Sequence, residues 1–522
     1  MTAAQREMDA LAQDASGVVK FIKPAVGAAA TGNCPTTPAV RHHGQQSSKL
    51  RVDMSAHAGL RGWLAVLLLL HHCVYFAELD QLGWAARFLH FITVGIGMPC
   101  FFLLSGFSMT VVYGGGTKAG HISNPAAKPK QFEIGTFYQN RVARVYPLYV
   151  LTNVVNFPLI WLGHGRWPLA TSRTAMSVLY SFLPVNFWLP ILMFDAGPFW
   201  QQANDASWTL STMTFFYAVF PWLLPKLQLV QPDNVGRRII QCFCLQLAWW
   251  PIVRLILDMS QDENELALVS GYRMWRGNAM FWSVTGTGPG RLPVFLMGCL
   301  AGLARIRAQG TGGLSFFGGN PPTWSMSRVL PSPSPVGYAR RVDAIATILM
   351  AGCGFAASWC YKTDSPGIVL EHKGHQLICM SVLTPLLTVQ LLSDLTQDEG
   401  RSFTHRVLTT PVASFMGRIS TALYLVNMPV LRYVTAVVNG PTEWPRLAIN
   451  DVSISKQEFS YVYRTPLSDR HPGWTDEWQA FNSVRAFPTW TIPGVVVVSI
   501  VAASLLNKFF EQPARELLRA KA

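Results

Sequence analysis

After a mostly polar start, long apolar runs alternate along the chain with short polar and basic stretches. Residues 1–56 carry Ala, Gly, Thr and Gln without an apolar run, so they read as a disordered tail. Nothing there resembles the apolar region of a signal peptide. A transit peptide is the weaker alternative, because Glu7, Asp9 and Asp14 sit in the segment. From residue 58, apolar runs recur at 58–79, 90–113, 145–163, 207–225, 239–258, 291–306, 342–361, 375–394, 411–438 and 490–510. Each approaches or exceeds the roughly 17–25 residues that a helix needs to cross a bilayer. The run 176–194 differs, since Pro184, Asn186 and Pro190 interrupt it. Loop 308–339 is rich in Gly, Ser and Pro and reads as a flexible linker.

The basic residues orient these runs. Loop 114–144 holds Lys118, Lys128, Lys130, Arg141 and Arg144, and loop 226–238 holds Lys226, Arg237 and Arg238. Loop 305–341 holds Arg305, Arg307, Arg328, Arg340 and Arg341, and the C-terminus holds Arg515, Arg519 and Lys521. Lys and Arg concentrate on the cytoplasmic side of membrane proteins. All four stretches fall there only if 176–194 does not cross. The expected fold class is therefore all-α: a polytopic transmembrane bundle of about ten spans with 176–194 re-entrant. Both termini are then cytoplasmic, and loop 259–290 and the insert 439–489 are external. The domain organisation reads as a tail over 1–56, a membrane domain over 57–515 and a basic tail over 516–522.

Composition agrees with that class. Hydrophobic residues make up 50% and charged residues 13%, against about 25% charged in soluble domains. Mean hydropathy is +0.24. A large soluble core and disorder of the whole chain are both excluded. The net charge of +14 would suggest nucleic acid in a soluble protein. Here the charge sits between apolar runs and no nucleic-acid motif accompanies it, so no nucleic-acid partner is expected. The nine cysteines are scattered, mostly inside apolar runs, without CxxC or zinc-type spacing. Neither a disulfide framework nor a metal site is indicated.

Three places could carry chemistry. Arg61 and His72 are eleven residues apart, which at about 100° per residue puts them on one helix face, about 16 Å apart along the axis. Arg61 then lies near the cytoplasmic surface, His72 near mid-membrane, and His71 about 100° away. An ionisable group at that depth is costly, which points to function or to a structural bond with a neighbouring helix. Ser105 and Gly106 in the second run suit close helix packing. Arg141 and Arg144, three apart, would be neighbours on a helix. Two guanidinium forks side by side suit a phosphate or pyrophosphate, or serve as a charge cluster that fixes topology.

Taken together these segments resemble the membrane acyltransferase type 3 family, which includes polysaccharide O-acetyltransferases. The resemblance runs from about residue 58 to 515. Arg61 and His72 match the family's Arg and His separated by ten residues, and 97–107 is similar to its Gly-Val-Asp-Leu-Phe-Phe-Val-Leu-Ser-Gly-Phe. Arg141, Arg144 and Pro147 match its Arg-x-x-Arg-x-x-Pro entry. The stretches 291–298 and 415–429 resemble its Pro-x-Phe-x-x-Gly and Gly-x-Ile-Ser-x-x-x-Tyr-Leu-x-His-x-Pro spans. Glu511, Pro513 and Arg515 match its Glu-x-Pro-x-Arg. Two departures stand out. Met213 and Thr214 replace the glutamate pair of Trp-Ser-Leu-Ser-Val-Glu-Glu-Gln-Phe-Tyr, and Asn427 replaces a histidine.

The resemblance implies transfer of an acyl group, by analogy acetyl, from acyl-CoA to a hydroxyl of a carbohydrate or lipid. Acyl-CoA (acetyl-CoA) is a cosubstrate, and no tightly bound cofactor is implied. His72 is the candidate catalytic base or covalent acyl carrier, and Arg61 is the second catalytic candidate, placed to assist Arg141 and Arg144. Arg141 and Arg144 are candidates to hold the CoA phosphates. The partners expected are acyl-CoA, the acceptor and membrane lipids. Two other readings stay open: a family member without catalysis that serves as a scaffold or binding protein, and a transporter, since broken apolar segments can line a substrate path.

Overall fold

The computed structural model describes residues 52–76, 84–114, 132–163, 182–184, 204, 206, 208–259, 288–310, 335–362, 383–398, 400–439 and 489–519. Among the described residues there are helices and no strand, as expected of an all-α chain. They are α1 Ser55–Phe76, α2 Trp84–Tyr113, α3 Ile134–Gly163, α4 Trp208–Gln228, α5 Val235–Met259 and α6 Gly288–Gly310. After these come α7 Pro335–Lys362, α8 Leu383–Leu395, the short α9 Phe403–Leu408, α10 Pro411–Asn439 and α11 Thr489–Leu518. Single π-helical turns interrupt α2 at Phe91–Gly97 and α11 at Asn507–Glu511. Three stretches, Trp84–Tyr113, Val336–Ser358 and Thr489–Leu518, are long and apolar enough to cross a membrane.

The helices outrun the apolar runs. α3 starts at Ile134 rather than 145, α7 at Pro335 rather than 342, and α11 continues to Leu518. Apolarity marks only the stretch that must avoid water, whereas backbone hydrogen bonding carries a helix on through polar turns. One consequence matters for the site: Arg141 and Arg144 lie inside α3, not in a loop. Likewise α1 already begins at Ser55, and α6 and α7 take up the ends of loop 308–339. The remainder of that loop, residues 1–51, the insert 440–488 and all of 176–194 except 182–184 lie outside the described residues.

Two close helix pairs organise the core. Gly106 on α2 abuts the Phe295 carbonyl and Cys299 on α6, while Gly298 abuts the Leu103 backbone. A side chain at either position would collide with backbone. In α1 and α10 the same device recurs, with Gly62 against Met416 and Gly417, and Gly417 against Ala58. Lipid tails are as apolar as leucine, so helices in a bilayer associate through such close van der Waals approach. Around the α2–α6 pair the aromatic rings interlock: Phe216 of α4 stacks on Phe295 at 4.4 Å, and Phe102 meets Phe216 edge-on at 5.6 Å.

Hydrogen bonds between helices fix their directions. Tyr138 Oη near the start of α3 donates to the Ala218 carbonyl of α4, at 3.0 Å. Farther along α3, the Val155 carbonyl accepts from Tyr433 Oη of α10 at 2.7 Å. Asn204, just ahead of α4, donates to the Leu425 carbonyl of α10 at 2.7 Å. Helices α3 and α4 are thus antiparallel, and the chain leaves α3 and enters α4 at the same end of the bundle. The opposite end gathers basic residues. Arg307 donates to the Gln228 and Val230 carbonyls, Arg305 to the Thr396 carbonyl, and Gln139 to the Leu518 carbonyl.

Pro429 explains the Asn204 contact. A proline inside a helix removes the N–H that would serve the carbonyl four residues back. In α10 that carbonyl is Leu425, and Asn204 Nδ2 serves it instead.

Candidate functional site

One cavity of about 230 Å³ opens among α1, α2, α3, α4 and α10. Arg61, Arg141 and Arg144 all line it, together with His57, Met213, Tyr217, Ser420 and Tyr424. No Asp or Glu is among its described lining residues. Helical periodicity explains the gathering: His57 and Arg61 are one turn apart on α1, Arg141 and Arg144 on α3, and Ser420 and Tyr424 on α10.

The three guanidinium groups are held differently. Arg61 Nε donates to Ser420 Oγ at 3.0 Å and its Nη2 to the Gly417 carbonyl at 3.4 Å. Arg141 Nη2 donates to Tyr113 Oη at 2.9 Å. Its guanidinium also lies over the rings of Tyr113, Phe137 and Tyr217, at 5.2, 5.6 and 5.8 Å, contacts that hold a cation by ring electrostatics. Arg141 Nε stays buried with no hydrogen-bond partner. Arg144 makes no hydrogen bond or ion pair with a described residue, and its charged neighbours include Arg61, Arg141, Arg515 and Glu511. Glu511 itself is tied to Asn507 Nδ2 at 2.9 Å. Three clustered positive charges with unused donors form a strong anion receptor.

His72 stands apart. It does not line the cavity. Its Nδ1 lies 3.3 Å from Asn427 Oδ1 on α10. Asn427 is one turn beyond Tyr424, whose hydroxyl at the inner part of the cavity accepts from Thr209 Oγ1 at 2.6 Å. Arg61 and His72 both face α10, as their spacing predicts. His71 turns instead toward His90 of α2, with rings 5.1 Å apart. The expected cluster therefore splits: the arginines share the cavity, and the histidine sits one helical turn deeper.

The two departures from the motif pattern also separate. Met213 lines the cavity where the motif has a carboxylate, whereas Thr214 donates to its own helix at the Leu210 carbonyl, 2.8 Å away. Ser105 lines the cavity while its neighbour Gly106 serves packing. The spacing argument missed His57, because it precedes the first apolar run, although it lies four residues ahead of Arg61. It also missed Asn204, whose signal was Pro429.

Comparison with known proteins points to one family. The model of the acyltransferase domain of the type 3 family matches residues 58–508. Acyltransferase MdmB of Streptomyces mycarofaciens is 29% identical over 174 residues, 33% of this chain and 39% of that protein. The matched part thus spans about two fifths of the relative's length. No solved structure matches the chain. With the family model covering most of its length, the chain belongs to the membrane acyltransferase type 3 family.

Proposed function

We propose that this protein is a multi-pass membrane acyltransferase that takes an acyl group from acyl-CoA and delivers it to a hydroxyl of a carbohydrate or lipid. The observation that carries the reading is the cavity bearing Arg61, Arg141 and Arg144, with no Asp or Glu among its described lining residues. It suits the phosphates of CoA, and the basic end of the bundle on which it lies suits the cytoplasm, where acyl-CoA is found. About ten helices cross, both termini are cytoplasmic, and 176–194 stays on the external side.

The chemistry follows from the depth ordering. The phosphates rest on the arginines, and the thioester reaches inward past Tyr424 toward His72. His72 takes the proton of the acceptor hydroxyl, whose oxygen attacks the thioester carbonyl. The C–S bond then breaks, and the CoA thiolate leaves and is protonated. In the covalent variant the imidazole nitrogen attacks first, CoA leaves as thiolate, and the hydroxyl takes the acyl group from the ring. Both routes need His72 and the same donor cavity.

A second reading, a family member that binds acyl-CoA without turnover, is favoured by Met213 in the cavity. One comparison separates the two. Glycans and lipids of cells making the protein are compared by mass spectrometry with those of cells making His72→Ala. An acyl-mass increment present only with the unaltered chain supports the enzyme. Identical spectra, together with CoA binding by the purified protein, would leave the binding protein.

A further inference from the structure

Two tyrosines are among the described residues that line the arginine cavity, and they differ. Tyr424 Oη is hydrogen-bonded to Thr209 Oγ1 at 2.6 Å. Tyr217 Oη makes no hydrogen bond with a described residue, and Tyr217 is only half-buried. Its oxygen is not sealed away from the cavity. Met213, one turn ahead on α4, lines the same cavity and offers only a weak thioether acceptor. Ala218, the next residue, accepts from Tyr138 of α3 at 3.0 Å, three residues before Arg141. The Arg141 guanidinium lies over the Tyr217 ring, 5.8 Å from its centre. Arg61 and Arg144 are electrostatic neighbours of the same phenol. Guanidinium groups only donate, so they give the phenol no acceptor. A free hydroxyl donor beside three cations is completed by an anion with several acceptor oxygens.

We infer that Tyr217 is a binding residue of the donor cavity, whose O–H donates to a phosphate oxygen that the arginines neutralise. The inference rests on the acyl-CoA reading above, which makes that phosphate one of CoA. It divides the labour between the two cavity tyrosines: Tyr217 holds the donor's head, and Tyr424 is spent on Thr209 within the protein. No bond forms or breaks at Tyr217.

Tyr217→Phe tests it, because phenylalanine keeps the ring under Arg141 and removes only the hydroxyl. Binding of CoA, and separately of pantetheine, is measured by calorimetry on the detergent-solubilised full chain. Tyr217→Phe should weaken CoA by about 10- to 100-fold, the loss of one hydrogen bond to a charged group. Pantetheine, which carries no phosphate, should not distinguish the two proteins. Ligand-free thermal stability should stay level, whereas loss of a hydroxyl that serves only the fold would lower it. Tyr424→Phe is the contrast, since it breaks the bond to Thr209 and should lower that stability. Unchanged CoA affinity in Tyr217→Phe, or an equal loss for pantetheine, overturns this inference and leaves the acyl-CoA reading standing. If the unaltered protein does not bind CoA, the acyl-CoA reading falls and this inference with it.

Discussion

Asn427 Oδ1 lies 3.3 Å from His72 Nδ1, joining α10 to α1 one turn beyond the cavity. An amide oxygen only accepts, so this contact places the ring proton on Nδ1 and leaves the Nε2 lone pair available. That is the tautomer a base or nucleophile needs. Asn427→Ala should therefore lower turnover by about tenfold or more, the worth of one orienting hydrogen bond, with CoA affinity unchanged. His72→Ala should lower turnover by about 10²–10⁴-fold, the span of acid–base catalysis. His71→Ala should be milder, since His71 faces His90. Steady-state kinetics in reconstituted membranes checks all three. Full activity in His72→Ala would remove this histidine from the mechanism.

Arg141 and Arg144 should behave as a pair on the donor side. Replacing either by Ala removes a charge-assisted contact worth roughly 1.5–3 kcal/mol. CoA affinity should then fall by about 10- to 100-fold per site, with acceptor binding little changed. Lysine should restore affinity only in part, because it keeps the charge and loses the fork. The contrast between the two sites adds a finer expectation. Arg141 already serves Tyr113 Oη and three aromatic faces. Arg141→Ala should therefore also lower thermal stability, and Arg144→Ala should not. Equal CoA affinity in the double variant would leave these residues as topology determinants alone.

Asn204 offers a test of packing rather than chemistry. Its amide satisfies the Leu425 carbonyl that Pro429 leaves without a helical partner. Asn204→Ala strands that carbonyl and should cost about 1–3 kcal/mol. In Asn204→Ala, Pro429→Ala, α10 regains its own N–H donor, and much of the loss should return. Thermal unfolding of the four proteins of this cycle reads the coupling. Purely additive effects would mean that the contact does not compensate for the proline.

Much of the site was legible in the sequence. Charged and ionisable residues inside apolar runs are few, and helix periodicity says which of them share a face. Arg61 with His72 followed from those two facts, whereas Arg141 and Arg144 lie just ahead of an apolar run and were paired by their spacing of three alone. The convergence of α1 and α3 on one cavity was not legible, because it depends on which helices pack together. Glycines such as Gly62 and Gly417 permit that packing but do not name their partners. The depth gap between His72 and the cavity was hidden for the same reason: it is set by Tyr424 and Asn427 on a helix about 350 residues away in sequence. His57 was overlooked because the apolar pattern starts one residue too late to include it.

The path of 176–194 supplies the last prediction. Two prolines and Asn186 would leave backbone groups unserved if this segment crossed lipid alone. Crossing would also place Lys226, Arg237 and Arg238 outside, against the charge bias of cytoplasmic loops. The flanking helices point the same way. α3 runs from its contact with Ala218 toward its contact with Tyr433, and α4 begins beside Leu425 and runs back. A chain that leaves and re-enters at one end of the bundle makes no net crossing between. In a background stripped of reactive native cysteines, Ala170→Cys and Ala203→Cys should therefore both react with an impermeant thiol reagent added from outside. Both should be silent when the reagent reaches only the cytoplasmic face. Such a segment would bring Trp188 to the side from which an external acceptor approaches. Labelling of the two positions from opposite sides would mean that 176–194 spans, and the sidedness of every helix from α4 onward would be inverted.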